Sequence, residues 1–375
     1  MAAGQVLIAP DKFKGSLSAR AVADHVAAGM RSVRPELEIV TAPIADGGDG
    51  TVDVVVAAGF HLVTAQVSGP TGAALQSGFA VRDGCAVVEL AAASGLALLP
   101  AGFDPLHATS RGTGELIAAA LDHGCTEIVL GVGGSACTDG GAGLLQALGA
   151  RLLDASGEQL PPGGAALASL DRVELTALDR RLASVRVTLA SDVDNPLHGP
   201  AGAAQVYGPQ KGASPADVAL LEAALIRWAD ALDPAAAALA GAGAAGGVGF
   251  AALSVLHARR RPGIDVVLDL IGFDDLLDGA ALVITGEGSL DEQTLHGKAP
   301  AGVAALAGRA GVPVLAVCGR LGLDRRRLAE AGILAAYALS DVEADPERCM
   351  LEAGALLERL GAIIAGAHLA QLPEA

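Results

Sequence analysis

The stretch Gln5–Ser16, with the sequence QVLIAPDKFKGS, contains the pattern that decides the fold. Its first half is a short apolar run, as in a buried strand, and its second half is a charged turn. A helical pattern follows from about Ala19 to Arg31. Further apolar runs, most of them followed by a glycine- or aspartate-rich turn, begin near residues 38, 127, 185, 281, 313 and 333. Strands that alternate with turns and helices indicate an α/β protein with parallel sheets.

The composition of the 375 residues limits the fold classes and binding partners that are expected. Hydrophobic residues make up 52% and aromatic residues only 2%, so we expect a core of Ala, Val, Leu and Ile, which suits buried parallel strands. The 25 Lys and Arg stand against 42 Asp and Glu, which gives a net charge of −17. Because nucleic-acid binding requires clustered positive charge and no basic stripe is present, nucleic acid is excluded as an expected partner.

Cysteines and apolar stretches argue against a secreted, zinc-binding or membrane protein. The five cysteines are scattered and form no C-x-x-C pair, so the sequence indicates neither a disulfide framework nor a zinc site. The N-terminus lacks the pattern of a signal peptide. The longest apolar stretch, Cys85–Phe103, is interrupted by Glu89, Gly95 and Pro100, which makes it a poor membrane span. We therefore expect a cytoplasmic protein with no membrane partner.

The order of the predicted strands favours two α/β domains, in line with about 100–200 residues per domain. Residues 1–66 and 278–375 would form a discontinuous, doubly wound, Rossmann-like domain whose parallel sheet contains the first two and the last three strands. Residues 67–277 would form a large inserted α/β domain, in which Ala216–Leu232 and Pro234–Ala245 are predicted helices. Ligands of such sheets bind beyond the carboxyl ends of the strands, so we expect the active site in the cleft between the domains.

Five turns at predicted strand ends combine carboxylates, lysines or closely spaced glycines. They are Ala9–Ser16, Asp46–Thr51, Gly131–Gly141, Ser191–Leu197 and Thr285–Thr294. Phosphoryl transfer needs such groups, because it depends on positioning, on cations that neutralise charge and on a metal held by carboxylates. No Walker A motif is present, since Ala299 follows Gly297 and Lys298 where Ser or Thr is required.

Several of these turns also have explanations that need no ligand. Asp49 or Thr51 could cap a helix, and the aspartates before Pro196 could form an Asx turn. The turn Gly131–Gly141 also fits the G-x-G-x-x-A pattern, with Asp154 at a suitable distance to contact a ribose. A nicotinamide-dependent dehydrogenase therefore stays open as an alternative.

Read together, the turns resemble the bacterial glycerate kinase family, in the group associated with glycerate 2-kinase activity. The matching strings include APDKFKGS (Ala9–Ser16), ADGGDGT (Ala45–Thr51), GVGGSACTDGGAG (Gly131–Gly143), SDVDNPLHGPAGAAQVYGPQKGA (Ser191–Ala213) and ITGEGSLDEQTLHGKAPAGVA (Ile284–Ala304). The chain departs from the family pattern at Arg111, Cys137 and Tyr207, and none of these departures removes a carboxylate or a lysine.

The resemblance implies ATP-dependent phosphorylation of D-glycerate to 2-phosphoglycerate with Mg²⁺, in the organic-acid catabolism of glyoxylate or glucarate. The expected partners are glycerate and ATP. A glycerate 3-kinase product and an NAD-dependent hydroxy-acid dehydrogenase are the alternatives, and the sequence leaves a homodimer open.

The chemistry of the turns predicts the roles of individual residues. We expect catalytic roles for Asp192, Lys12 and Asp291, and metal binding by Asp192 and Glu287. Substrate or nucleotide binding is predicted for polar residues and glycines of the turns and of the segments that follow them, namely Asp11, Lys14, Ser16, Asp46, Asp49, Gly133, Gly134, Ser135, Asp139, Asp194, Asn195, Lys211, Gly286, Glu287, Gly288 and Lys298.

Overall fold

The computed structural model describes residues 5–100 and 102–368, and this part of the chain alternates strands with helices. The strands are β1 (Gln5–Pro10), β2 (Ile39–Thr41), β3 (His61–Ser68), β4 (Ala74–Arg82), β5 (Cys85–Glu89), β6 (Glu127–Gly131), β7 (Arg151–Leu153), β8 (Arg172–Glu174), β9 (Arg186–Ala190), β10 (Arg259–Arg261), β11 (Ala280–Leu290), β12 (Val314–Leu321) and β13 (Ala335–Ala338). The helices are α1 (Ala19–Val33), α2 (Thr51–Ala57), α3 (Ala91–Ser94), α4 (Arg111–Asp122), α5 (Ala142–Ala147), α6 (Ala203–Tyr207), α7 (Pro215–Leu232), α8 (Ala244–Ser254), α9 (Gly263–Ile271), α10 (Phe273–Leu277), α11 (Ala299–Arg309), α12 (Arg325–Glu330), α13 (Pro346–Leu351) and α14 (Ala353–His368).

The described residues divide into two compact units. The first contains residues up to 46, residues 53–58 and residues from 264 onward, and the second contains residues 47–52 and 59–263. No helix of the described residues combines the length and the apolar character that crossing a membrane requires.

The first unit is built on a five-stranded parallel sheet with the strand order β13-β12-β11-β1-β2. Side chains of a strand alternate between the two faces of its sheet, and both faces here are buried. On β1, Leu7 and Ala9 pack into one apolar core, and Val6 and Ile8 pack into another on the opposite face. The apolar strands predicted from the sequence are therefore correct for this sheet, which is doubly wound by helices.

Helices α1 and α14 cover one of these faces and approach each other closely. A Cβ atom at Gly29 of α1 would lie 1.9 Å from the carbonyl oxygen of Glu358, so only glycine permits this packing. The start of α1 is fixed by Ser18, whose side chain accepts a hydrogen bond of 3.2 Å from the N–H of Ala21. These contacts hold the turn Asp11–Leu17, which precedes α1, at the carboxyl end of β1.

The second unit contains a six-stranded sheet with the order β10-β9-β6-β5-β4-β3, and this sheet is mixed rather than purely parallel. The strands β5, β6, β9 and β10 run parallel, whereas β3, β4 and β5 pair antiparallel. The strands β3, β4 and β5 were not predicted from the sequence, and the residues of β5 were considered only as part of a possible membrane span. A separate hairpin joins β7 and β8.

The helix predicted over Pro234–Ala245 is wrong. Only a short 3₁₀ turn forms at Ala236–Ala238, and α8 begins later, with left-handed backbone at Ala245, Gly246 and Gly247. The high helix propensity of alanine is a weak preference that tertiary packing overrides. A Cβ atom at Gly246 would lie 2.1 Å from the carbonyl oxygen of Cys137. The backbone of Gly246 therefore packs directly on the backbone of Cys137, and this close contact coincides with the left-handed turn.

Candidate functional site

In the first unit, five predicted residues lie together where the carboxyl end of β1 runs beside β11. The N–H of Asp11, just past β1, donates to the carbonyl oxygen of Gly286 on β11 at 2.7 Å. Glu287 is the next residue of β11, and it is 8% exposed. Gly288 passes close to the turn after β1, because a Cβ atom there would lie 3.4 Å from the amide nitrogen of Lys14. The parallel register thus brings the first and fifth predicted turns side by side.

The carboxylates of this cluster repel one another. Burial raises the pKa of Asp11 to about 7, and the charges of Asp46 and Glu287 add to the shift, whereas the N–H of Lys12, which donates to Asp11 Oδ1 at 2.6 Å, opposes it. Burial also raises the pKa of Glu287, against the hydrogen bond from Thr294 and the charge of Lys298. Such surplus negative charge favours a cation or a proton at this place.

The segment after β11 surrounds Glu287 with groups from one short turn. The hydroxyl of Thr294 donates to Glu287 Oε1, and Lys298 Nζ lies 3.9 Å from Glu287 Oε2. Asp291 Oδ1 accepts from the N–H of Gln293 at 2.9 Å, and Lys298 Nζ donates to Gln293 Oε1 at 3.2 Å. Asp291, Glu287 and Lys298 therefore belong to one network, and their predicted roles stay predictions.

The two lysines and the serine of the first turn differ in their surroundings. Lys14 is exposed and Lys12 is half-buried. The hydroxyl of Ser16 donates to the carbonyl oxygen of Met350 at 2.7 Å, which ties the turn to the end of α13. Ser16 thus fixes the position of the turn that carries both lysines, and its predicted contact with a ligand is untested.

In the second unit, the turn Gly47–Val52 is held by a residue that the sequence analysis missed. Glu89, at the end of β5, is 5% exposed and accepts hydrogen bonds from the N–H groups of Gly50 and Val52, both at 3.1 Å. In the sequence, Glu89 is a lone carboxylate at the end of an apolar run. It was interpreted only as a residue that interrupts a possible membrane span. Asp49 lies on this turn and is exposed.

The glycine-rich turn after β6 packs directly on the turn Gly47–Val52. A Cβ atom at Gly133 would lie 2.5 Å from the Cα atom of Gly48, and one at Gly131 would lie 2.4 Å from the carbonyl oxygen of Gly47. Gly134 has a φ of +69°, which favours glycine. The second and third predicted turns therefore meet through backbone contacts that only glycines allow.

Asp139, predicted to bind substrate or nucleotide, is instead an internal residue. It is 0% exposed, and its carboxylate accepts from Ser110 N at 2.8 Å, Ser110 Oγ at 2.9 Å, Gly141 N at 3.1 Å and Gly143 N at 3.2 Å. A carboxylate that is 0% exposed and accepts from this many protein donors lies inside the protein, away from a ligand. The structure corrects the prediction: Asp139 positions the glycine-rich turn and the start of α5.

Lys211 is also buried, although it was predicted to bind substrate or nucleotide. It is 2% exposed, and its Nζ donates to Ser135 Oγ at 2.8 Å and to the carbonyl oxygen of Cys137. Burial lowers the pKa of Lys211, and nearby Cys137 and Asp139 oppose the shift. The structure therefore corrects the prediction of direct phosphate contact, because the ammonium group reaches the glycine-rich turn from inside.

The predicted residues of the turn after β9 differ in the contacts that their side chains make. Asp192 is exposed, and its Oδ1 accepts from the N–H of Gly263 at 2.9 Å. Asp194 forms an ion pair with Arg260, with Nη1 donating to Oδ1 at 2.7 Å. Asn195 donates to the carbonyl oxygen of Ala201 at 2.7 Å and accepts from the hydroxyl of Tyr207 at 2.7 Å, so its side chain holds the turn together.

Two carboxylates of the predicted turns suit a magnesium ion rather than a structural metal. No group of three or more His, Cys, Asp or Glu side chains among the described residues is arranged to hold a metal ion by itself. Magnesium usually needs only one or two protein carboxylates, because water and phosphate oxygens complete its shell. Glu287, in the electronegative cluster, and the exposed Asp192 are carboxylates of that kind.

Comparisons with known proteins agree on one family. The model of the glycerate kinase family matches residues 6–369. A protein named glycerate kinase from Bacillus subtilis (strain 168) is 44% identical over 96% of this chain and 97% of its own length. A protein named glycerate 2-kinase from Escherichia coli (strain K12) is 43% identical over 89% of this chain and 90% of its own length.

A solved structure supports the same relationship at the level of the fold. The crystal structure of a candidate glycerate kinase 2 from Salmonella typhimurium LT2 is similar to this chain with a TM-score of 0.83 and 41% identity. The similarity covers 98% of this chain and 99% of the Salmonella chain.

Proposed function

The chain belongs to the glycerate kinase family, and we propose that it transfers the γ-phosphoryl group of ATP to the 2-hydroxyl of D-glycerate. The observation that carries the proposal is the match of nearly the whole chain to relatives named glycerate kinase, one of them named for the 2-position. The products would be 2-phosphoglycerate and ADP, as in organic-acid catabolism of glyoxylate or glucarate. Because ATP is supplied in the cytoplasm, we propose that the enzyme works there.

The distribution of lysines supports a reaction on phosphate. The chain has four lysines, and each lies in one of the matching strings at a strand end or a neighbouring turn. In the proposal, Lys12, Lys14 and Lys298 neutralise the phosphates of ATP or the carboxylate of glycerate, while Lys211 acts from within the protein. Positive charge that is positioned in advance stabilises the developing charge of the transition state.

Carboxylates would take the proton and hold the metal. We propose Asp192 as the general base that accepts the hydroxyl proton of glycerate, so that the hydroxyl oxygen attacks the γ-phosphorus and ADP leaves. Magnesium, when bound, would neutralise charge on the phosphate oxygens. Glu287 is its proposed ligand, and binding magnesium is the alternative role of Asp192 to that of base. Asp291 and Asp49 are proposed to orient substrate hydroxyls. A carboxylate base contributes about 10²–10⁴-fold to such a rate.

Phosphorus NMR of the product tests the proposal directly. The purified enzyme with ATP, Mg²⁺ and D-glycerate should yield ADP and a single new monoester whose coupling to a methine proton identifies 2-phosphoglycerate. A monoester coupled to methylene protons would indicate 3-phosphoglycerate and refute phosphorylation of the 2-hydroxyl. Parallel incubation with NAD and glycerate, followed at 340 nm, should show no reduction, and formation of NADH would favour the dehydrogenase alternative.

A further inference from the structure

Ser135 and Lys211 form a buried pair on the glycine-rich turn. Lys211, at the end of the 3₁₀ turn Pro209–Lys211, is 2% exposed, and Ser135 is 9% exposed. Lys211 Nζ donates to Ser135 Oγ at 2.8 Å, and it also donates to the carbonyl oxygen of Cys137. The two residues are 76 positions apart in sequence, so tertiary structure alone creates the pair.

The direction of this hydrogen bond determines where the serine proton points. An ammonium group only donates, whereas a serine hydroxyl has one proton and two lone pairs. Because Lys211 occupies a lone pair of Ser135, the serine proton must point to another acceptor. Among the residues that the structure describes, no protein oxygen accepts from the Ser135 hydroxyl. Since Ser135 is 9% exposed, its hydroxyl proton is available to an acceptor from outside the protein, such as a ligand oxyanion.

The backbone of the same turn offers further donors. The N–H of Ala136 donates to the carbonyl oxygen of Ser94 at 2.9 Å, and this bond anchors the turn. By contrast, the N–H groups of Gly133, Gly134 and Ser135 have no acceptor within the described ranges. Three successive N–H groups without an acceptor in the described part of the protein therefore lie next to Ser135 Oγ in sequence, and backbone N–H groups are donors that anions accept from.

The charge of Lys211 lies directly beside the hydroxyl of Ser135, with Nζ 2.8 Å from Oγ. Within residues 5–100 and 102–368, no carboxylate forms an ion pair with Lys211, although buried charges are normally paired. The charge interacts with nearby Cys137 and Asp139, and it also acts on the hydroxyl oxygen of Ser135, to which Nζ donates. A hydroxyl that accepts from a cation becomes a stronger donor, because hydrogen bonds in a chain polarise one another.

We propose that Lys211 orients and polarises the hydroxyl of Ser135, which then donates to an oxyanion of a bound substrate. The oxyanion is a phosphoryl oxygen of ATP or the carboxylate of glycerate, so this inference rests on the proposed function. Ser135 contacts the ligand, whereas Lys211 is a positioning residue that acts through Ser135.

A double-mutant cycle separates this role from a purely structural one. Ser135→Ala and Lys211→Met should each lower kcat/KM about 10²-fold, the usual effect of losing one donor to an oxyanion. The double variant should lose about the same factor, because Lys211 has no hydroxyl to act through once Ser135 is replaced. If Lys211 only supports the turn through the carbonyl of Cys137, the losses multiply to about 10⁴-fold, and the proposal is refuted.

Two surface variants serve as matched controls. Ser184→Ala removes an exposed hydroxyl, and Arg325→Met removes an exposed positive charge. Neither should change kcat/KM. If circular dichroism shows that Lys211→Met does not fold, the comparison of Ser135→Thr with Ser135→Ala tests the proposal instead. Threonine keeps the hydroxyl and should keep most of the activity. Full activity of Ser135→Ala would overturn the proposal.

Calorimetry identifies the oxyanion and gives a readout other than turnover. Binding of ATP with magnesium and of D-glycerate is measured separately for the wild type and Ser135→Ala. Weaker binding of ATP assigns the donor to a phosphoryl oxygen, and weaker binding of glycerate assigns it to the carboxylate. Unchanged binding of both refutes the inference. If the wild type does not phosphorylate glycerate, but Ser135→Ala still weakens ATP binding, only the proposed function fails.

Discussion

Replacing Glu89 with glutamine should loosen the turn Gly47–Val52 without changing the shape of the side chain. In the wild type, the two carboxylate oxygens of Glu89 accept from Gly50 N and Val52 N, both at 3.1 Å. A glutamine keeps one accepting oxygen, but its amide group directs N–H donors at the second backbone N–H. Because Glu89 is 5% exposed, water does not readily replace the lost acceptor.

The expected cost follows from these contacts. Loss of one charge-assisted hydrogen bond that leaves a buried donor unsatisfied costs about 1–3 kcal/mol. A central value of about 2 kcal/mol lowers the melting temperature of a folding unit of 150–250 residues by about 4–8 °C. The carboxylate also lies at the start of α2, where negative charge is stabilising, so the loss of charge acts in the same direction.

Thermal and urea unfolding, followed by circular dichroism, measure the stability of Glu89→Gln, and a coupled assay of ADP release measures its turnover. We expect a lower urea midpoint with an unchanged slope, and a higher KM, because the turn carries Asp49. Glu158→Gln, an exposed change in the same unit, is the control and should leave both measurements unchanged. An unfolding midpoint of Glu89→Gln equal to that of the wild type would refute the reasoning.

Three further predictions concern the base, the glycine turn and a thiol. Asp192→Asn should lower kcat about 10²–10⁴-fold while the melting temperature stays within about 2 °C, and near-normal ADP release would remove Asp192 from the catalytic residues. Gly133→Ala should abolish turnover because its Cβ atom would lie 2.5 Å from Gly48 Cα, whereas Gly308→Ala, with open space around its Cβ position, should stabilise α11 by about 1 kcal/mol in urea unfolding. Burial, with smaller contributions from neighbouring charges, raises the pKa of Cys85 to about 11, so at pH 8 its thiol stays protonated, and iodoacetamide should label it far more slowly than in urea-unfolded protein by mass spectrometry.

Much of the candidate site could be predicted because the chemistry lies in short strings. The turns that follow β1, β6 and β9 were located from apolar runs that end in glycines and carboxylates, and each run is a strand. The fifth predicted turn, Thr285–Thr294, was placed too early, because β11 continues to Leu290. What failed was the assignment of Asp139 and Lys211 to ligand contact. A string shows that a residue is charged, but burial depends on elements far away in sequence, such as Ser110, which donates to Asp139 from the start of α4.

The sequence by itself determined the α/β class, the five-stranded sheet of the first and last strands, and the turns that carry lysines and carboxylates. Periodicity and turn chemistry are local, so they can be read without coordinates. Only the tertiary structure decided that Glu89 holds the turn Gly47–Val52 and that Lys211 donates to Ser135 from inside. It also decided that β3 and β4 extend the second sheet antiparallel. These outcomes depend on contacts between segments that are distant in sequence. A buried polar group stabilises the protein only when the fold places its hydrogen-bond partners around it.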